Sequence, residues 1–139
     1  MEAMKRAQQR RGLAAVEAAL ILPVFVLLVF GLLEYGWMFM KVQQVQGAAR
    51  SGVRVAVREG ATNANVNTAI DNAMLNGGMQ TSGYTWVSSP SNVATVPAAD
   101  TIIVTVTVPY QNGIWLTHIP FIPVPTNLVG TATMAKEGP

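Results

Sequence analysis

Apolar residues in this chain are concentrated in one long run near the N-terminus. The run, LAAVEAALILPVFVLLVFGLL, extends from Leu13 to Leu33 and contains a single charged residue, Glu17. Because a helix of about 20 apolar residues spans the hydrocarbon core of a bilayer, the pattern predicts a transmembrane helix, which we assign to residues 13–36. The preceding residues 1–12 are rich in Lys and Arg and are interpreted as a basic cytoplasmic leader.

Small and apolar residues continue at helical spacing beyond this run. They predict one helix from about Ala14 to Val57, broken near Gly60. The part of this helix outside the membrane corresponds to residues 37–60. The segment VRVAVRE also alternates with period two, so a strand remains an alternative for residues 50–58. The side chains expected to face a core or a partner helix are Val42, Val45, Ala49, Val53 and Ala56.

Residues 61–139 are predicted to form a small exported head. The segment TNANVNTAIDNAML has helical periodicity, a cap at Thr62 or Asn63, and a stop at the NGG that follows. The expected fold class is therefore α+β, in which the long helix is followed by a short helix and an antiparallel sheet of about three strands. The three strand candidates begin near Gly83, Asp100 and Asn127.

Two surfaces of the exported part are candidates for partner contacts. The segment IPFIPVP cannot lie inside a sheet because proline donates no hydrogen bond, so we expect a loop that exposes apolar residues such as Phe121. A basic stripe with a spacing of four residues follows the span, and it is either a solvated face or a partner-binding surface. Its members are Arg50, Arg54 and Arg58.

Composition and charge narrow the classes of function. Only 12% of the residues are charged and the formal net charge is +2, so nucleic-acid binding is not expected. The chain has no cysteine and one histidine, His118, and it shows no metal-ligand spacing and no Gly-rich phosphate loop. We therefore expect no enzyme, no metal and no cofactor, with His118 at a surface or an interface.

Two observations favour a retained anchor over a removable signal peptide. The apolar run is longer than the roughly 7–15 residues of a signal-peptide core, and no small-residue cleavage site of the secretory type follows it. Basic residues before the run predict a cytoplasmic N-terminus, although four further basic residues follow the span and weaken the contrast. The basic residues before the run are Lys5, Arg6, Arg10 and Arg11.

Two carboxylates bracket the apolar run. Glu17 lies about one turn inside its first boundary, either near the headgroups at the positive end of the helix dipole or in contact with a functional partner. Glu34 follows 17 residues later, about 25 Å along a helix. We expect Glu34 at the opposite interface, with Tyr35 and Trp37 in an aromatic belt.

The span contains two further features that bear on helix packing. Pro23 removes a helix hydrogen bond and favours a kink, which is either without consequence or a functional hinge. Ala14 and Ala18 have the spacing of small residues that lets two helices approach closely.

Gly12, followed by an apolar helix with a Glu as the fifth residue after the Gly, resembles the processing site of type IV pilin-like proteins. More closely, RRGLAAVEAALILPVFVLLVFGLLEYG is similar to the TadE-like pseudopilins of tight-adherence (Tad/Flp) pilus systems. The shared features are G-x-A-A-V-E, a Leu-Pro pair and G-x-x-E-[FY]-G. QGAARSGVRVAV and the terminal TATMAKE also fit this family, while Ala18 stands where the family often has an aromatic residue.

The resemblance implies that a prepilin peptidase cuts between Gly12 and Leu13 and that Glu17 is retained for packing between subunits. The other residues assigned to packing or assembly are Ala14, Ala18, Pro23 and Glu34.

It also implies a structural pilin or pseudopilin that is inserted once in the inner membrane, with its head in the periplasm or, after assembly, on an extracellular pilus. Its partners would be other pilin subunits, the peptidase, the inner-membrane assembly machinery and membrane lipid. The alternative is an uncut single-pass protein whose exported head binds envelope or pilus-assembly partners.

Overall fold

The computed structural model describes the backbone of residues 2–110, 114, 116 and 123–138, and the side chains within this set from Ala14 onward. Phe121 and His118, both singled out from the sequence, lie outside the described residues. The described chain has six elements in the following order: α1 (Glu2–Ala56), α2 (Asn63–Asn76), β1 (Thr85–Ser89), a 3-10 turn (Val93–Thr95), β2 (Thr101–Pro109) and β3 (Asn127–Ala135).

Helix α1 is a single helix of 55 residues. The helix ends at Ala56, which confirms the helical prediction for residues 50–56. Gly60, four residues later, has a φ of +68°, a left-handed conformation that helix residues do not adopt. The predicted start near Ala14 was wrong, because the helix already begins at Glu2. Residues 2–11 are all strong helix formers, and the single Gly12 costs only about 1 kcal/mol, which is too little to interrupt the helix.

The C-terminal end of α1 is capped by a lysine from the far end of the chain. The Lys136 ammonium donates hydrogen bonds to the carbonyl oxygens of Ala56, at 3.1 Å, and Arg58, at 2.8 Å. Ala56 is the last residue of the helix, whose final carbonyls lack helical donors, and the Arg58 carbonyl also accepts from the Ala61 amide. A cation at this position also complements the helix dipole. The segment that follows β3 is therefore fixed to the end of α1.

Helix α2 confirms the predicted short helix and its cap. Thr62 is the N-cap and its hydroxyl accepts a hydrogen bond from the Asn65 backbone, while the Asn65 side chain accepts one from the Thr62 backbone. The helix ends at Asn76, followed by Gly77. Its buried face packs on α1 and consists of Val66, Ile70 and Met74.

The three predicted strands form one antiparallel sheet with the order β1-β2-β3. Strand β2 alternates, with buried aliphatic residues on one face and mostly threonines on the other. The buried face packs against α1, and the resulting core confirms the α+β class. The buried residues of β2 are Ile102, Val104, Val106 and Val108.

Helix α1 packs directly on β3 at Gly130, because this residue has no side chain to separate the two backbones. A Cβ atom added to Gly130 would lie 2.6 Å from the carbonyl oxygen of Val45. Next to this contact, the Gln46 side-chain amide donates to the Thr131 carbonyl at 2.6 Å and accepts from the Thr131 amide at 3.1 Å. These two bonds satisfy backbone groups at the edge of the sheet, which would otherwise be open to another strand.

Candidate assembly helix and its junction with the head

The first half of α1 projects from the head as an exposed apolar helix. Every residue from Ala14 to Phe30 is exposed, including Leu20 with 72% of its surface accessible. A helix that is apolar on all sides and not covered by its own protein is suited to lipid or to neighbouring helices. Within the described chain, α1 is the one helix that is long and apolar enough to cross a membrane, with a mean hydropathy of 2.7 in its most apolar window.

Of the predicted packing residues, Glu17, Ala14, Ala18 and Pro23 lie on this exposed segment, whereas Glu34 is buried against the head. Glu17 is exposed, and Ala14, three residues before it, lies on the same side of the helix. Ala18 lies one turn after Ala14 but is rotated by about 100° from Glu17. Within the described residues, no hydrogen bond or ion pair involves the Glu17 carboxylate. Pro23 is also exposed and lies inside the continuous helix. Gly12 and Leu13 belong to the same helix, and their side chains are outside the described set.

Glu34 lies where the exposed half of α1 meets the head. We expected this carboxylate at a membrane interface, but only 2% of its surface is exposed, because the head covers it. The Tyr110 hydroxyl donates a hydrogen bond of 2.8 Å to Glu34 Oε1. Burial, together with this hydrogen bond and the charge of the carboxylate, raises the pKa of the Tyr110 hydroxyl. The structure thus gives Glu34 a partner within its own chain.

Three more side chains of α1 attach the head at the same level. Tyr35 Oη donates to the Pro123 carbonyl at 2.9 Å, and Trp37 Nε1 donates to the Ile114 carbonyl at 2.5 Å. Lys41 Nζ lies 4.9 Å from the centre of the Trp37 ring and donates to the Gly77 carbonyl at 3.0 Å. We expected Tyr35 and Trp37 in an aromatic belt; in the structure both contact the head. Residues 34–41 are called the junction below.

Sequence patterns did not identify the head residues that meet the junction. Tyr110 carries one usable signal, since it continues the alternation of buried residues in β2 from Ile102 to Val108 by one more step. The partner of Glu34 is 76 residues away along the chain, however, and helical or strand periodicity contains no information about such a distance. The same holds for Lys136 at the end of α1.

The predicted basic stripe is exposed along the end of α1 and just beyond it. Arg50, Arg54 and Arg58 are all accessible to solvent. A shallow depression of about 250 Å³ lies beside Arg58 and is lined also by Glu59 and Asn65. Among the described residues, no group of three or more His, Cys, Asp or Glu side chains is placed to hold a metal ion.

Comparison with known proteins bears on the N-terminal part of the chain. No curated protein and no solved structure matches the chain. A family model described as TadE-like protein matches residues 12–54, which include the exposed apolar segment, the junction and two arginines of the basic stripe. The match confirms the resemblance inferred from the sequence. Residues 12–54 are therefore similar to TadE-like proteins, and their apolar helix fits a single-pass membrane protein of a pilus system.

Proposed function

We propose that the chain is a structural subunit, a pseudopilin or minor pilin, of a Tad-type pilus, and that it is not an enzyme. The observation that carries this proposal is the exposed apolar half of α1, joined to a folded head by the junction. Such a helix is stable in a bilayer, and it is equally suited to the helical core of a filament. The TadE-like match of residues 12–54 supports the pilus context.

In the proposed mechanism, a prepilin peptidase hydrolyses the peptide bond after Gly12 and leaves Leu13 with a free α-amino group. An unpaired charge in an apolar region is costly, and the estimates for a carboxylate begin at about 2.5–3.5 kcal/mol. Pairing of the Leu13 ammonium with a Glu17 carboxylate, in the same or a neighbouring subunit, offsets this cost for both groups. Two subunits would then prefer one axial position relative to each other.

The surroundings of Glu17 are suited to such packing. Ala14 and Ala18 are one turn apart and carry only a methyl group each, which lets a second helix approach α1 closely beside Glu17. Pro23 lacks an amide donor, so the helix hydrogen bond to the Ala19 carbonyl cannot form. That carbonyl is therefore free to accept a bond from a neighbouring helix.

The intact mass of the mature protein, taken from native membranes or from sheared filaments, tests the cleavage step. We expect a chain that begins at Leu13, and we expect a Gly12→Val variant to retain the first twelve residues because the residue before the cut is altered. A wild-type mass that still includes MEAMKRAQQRRG would contradict the proposed processing.

The role of Glu17 is tested separately by replacing it and measuring incorporation into filaments. Glu17→Ala should insert in the membrane and be cleaved, yet be depleted from the filament fraction, since the Leu13 ammonium would have no partner. The matched control is Glu59→Ala, which removes an exposed carboxylate from the head and should leave incorporation unchanged. Incorporation of Glu17→Ala at the level of the wild type would contradict this role.

A second candidate is an uncut single-pass protein whose head binds envelope or assembly partners. The observation in its favour is that α1 runs from Glu2 through Gly12 and Leu13 as regular helix. A peptidase must reach an extended backbone, so cleavage would require this turn to open. The exposed arginines at positions 50, 54 and 58 would then be available to an acidic partner.

A further inference from the structure

We propose that the head itself rests on the lipid surface, through a patch formed by Leu116, Pro123 and Pro125. This patch is called the head base. The inference rests on the proposed function in one respect, namely that the exposed half of α1 lies in a bilayer. It adds a second membrane contact, made by a part of the chain far from α1 in sequence.

The first argument is the height of the head base along α1. From Ala14 to Glu34 the helix rises roughly 30 Å, which equals the thickness of a hydrocarbon core. Residues 34–37 therefore lie at the boundary between hydrocarbon and headgroups when the exposed segment is inserted. Since the carbonyls of Ile114 and Pro123 accept hydrogen bonds from Trp37 and Tyr35, these two residues lie at the same level.

The second argument is which side chains point outward at this level. Ile114 is 6% exposed and Val124 packs against the core, so these two residues are fixed to the head. The described residues near them face outward, with Leu116 47% exposed and Pro123 and Pro125 also exposed. Proline has no amide donor, so two prolines reduce the number of backbone groups that need water.

The third argument is the distribution of charge in the head. The sequence has no Asp, Glu, Lys or Arg between Asp100 and Lys136. Lys136 and Glu137 bind the other end of α1, through the carbonyls of Ala56 and Val57, roughly 33 Å beyond Glu34 along the helix. Headgroup contact is therefore made by an uncharged part of the head, which loses little hydration when it meets lipid.

Side chains of α1 at this level fit the same position. Phe39 is 61% exposed and Met40 is 41% exposed, and both lie outside the predicted span of residues 13–36. Lys41 is only 7% exposed, because its ammonium lies over the Trp37 ring and donates to the Gly77 carbonyl, so its charge is directed into the head and away from lipid. Near the junction, exposed apolar surface is thus provided both by the head base and by Phe39 and Met40 of α1.

Site-directed fluorescence in the full-length protein tests the contact, because the chain has no native cysteine that would compete for the label. We would attach an environment-sensitive fluorophore to Leu116→Cys in vesicles of phosphatidylcholine and phosphatidylglycerol. Quenching would be compared between lipids that carry a nitroxide near the headgroup and aqueous iodide. Pro125→Cys is a second position on the head base, used in case the first variant folds poorly.

Two control positions separate this inference from the proposed span. Val87→Cys is the matched control, since Val87 is 64% exposed on the outer face of the sheet. Leu27→Cys reports on α1, where Leu27 is 51% exposed. We expect nitroxide lipids to quench the labels at Leu116 and Pro125 several-fold more than the label at Val87. Aqueous iodide should quench the label at Val87 more strongly than those at Leu116 and Pro125.

Three outcomes would overturn the inference. If nitroxide lipids quench the label at Leu27 while both head-base labels behave like the label at Val87, the head base is not on the membrane. In that case the proposed transmembrane helix is still supported. If the head-base labels are shielded from iodide but not quenched by lipid, a protein surface covers them instead. If Leu27 is not quenched by lipid either, α1 is not inserted, and the proposed membrane function fails together with the inference.

Discussion

At the scale of single residues, the decisive feature is a carboxylate that the fold removes from solvent. Glu34 lies at the end of the exposed apolar segment and is 2% accessible, so hydrogen-bond donors must replace the water it has lost. Tyr110 is one of these donors. By covering Glu34, the head keeps its carboxylate from being exposed at the end of the apolar segment.

Replacement of the Tyr110 donor should therefore lower stability. In Tyr110→Phe the buried carboxylate loses one hydrogen bond, and we expect the free energy of unfolding to fall by about 1–3 kcal/mol. The measurement is thermal unfolding followed by near-ultraviolet circular dichroism in detergent. Tyr35→Phe is the control, because its hydroxyl makes an exposed bond to Pro123 and should matter less. A smaller loss for Tyr110→Phe than for Tyr35→Phe would contradict this account of Glu34.

A second tyrosine predicts a pH dependence. Burial, with a hydrogen bond to Asp71 and the charge of that carboxylate, raises the pKa of Tyr84 from 10.0 to about 12. The folded state therefore holds this proton more tightly than the unfolded state, so the stabilisation is complete below pH 10 and is lost as the pH rises to about 12.

Denaturant unfolding across this alkaline range measures the effect. The free energy of unfolding of the wild type should decline more steeply than that of Tyr84→Phe, which has no proton to lose at this position. In Asp71→Asn the pKa of Tyr84 should fall toward its usual value, because the neighbouring negative charge is gone. Equal slopes for the wild type and Tyr84→Phe would show that the Tyr84 pKa is not raised by folding.

At the scale of elements, the head is held to α1 by a close approach of backbone to backbone. Gly130 lies so near Val45 that β3 could not pack there with any larger residue. Gly52 plays a similar part on the same helix, since an added Cβ atom would lie 2.8 Å from a side-chain carbon of Ile70 in α2. One helix thus contacts both the sheet and α2 without a gap.

Gly130→Ala should separate α1 from β3. We expect the free energy of unfolding to fall by about 1–3 kcal/mol, since the added methyl group meets backbone atoms that cannot move aside. Gly47→Ala is the matched control, because nothing lies within 4 Å of its added Cβ atom. That change should be neutral or stabilising by up to about 1 kcal/mol, as expected for Gly→Ala in a helix. A loss in Gly47→Ala as large as in Gly130→Ala would contradict the close-approach argument.

Elements were more predictable from the sequence than the contacts between them. The alternation in β2 and the capping residues of α2 are local signals, and both elements formed where those signals lie. The start of α1 was misplaced because the apolar boundary at Leu13 was taken as the helix boundary, although residues 2–11 also favour helix. The burial of Glu34 depends on how the head folds back onto α1, which no local pattern encodes.

At the scale of the whole molecule, the two halves of α1 have different surroundings. Its exposed apolar half requires lipid or other helices, while its second half forms part of the core of the head. The junction joins these halves, and under the proposed function it lies at the level of the membrane boundary. A subunit built in this way can leave a bilayer for a filament without unfolding its head, because none of the core residues belongs to the exposed half.

Cross-linking through the exposed half of α1 tests this account most directly. Because the chain has no cysteine, Leu20→Cys provides a single thiol at a position that is 72% exposed in the isolated subunit. We predict that a thiol-to-amine cross-linker joins it to another pilin-type subunit in purified filaments, whereas it stays accessible to a lipid-soluble thiol reagent in membranes before assembly. If Leu20→Cys in the filament fraction yields no cross-linked product, or the protein never enters that fraction, α1 is a permanent anchor and the packing role is wrong.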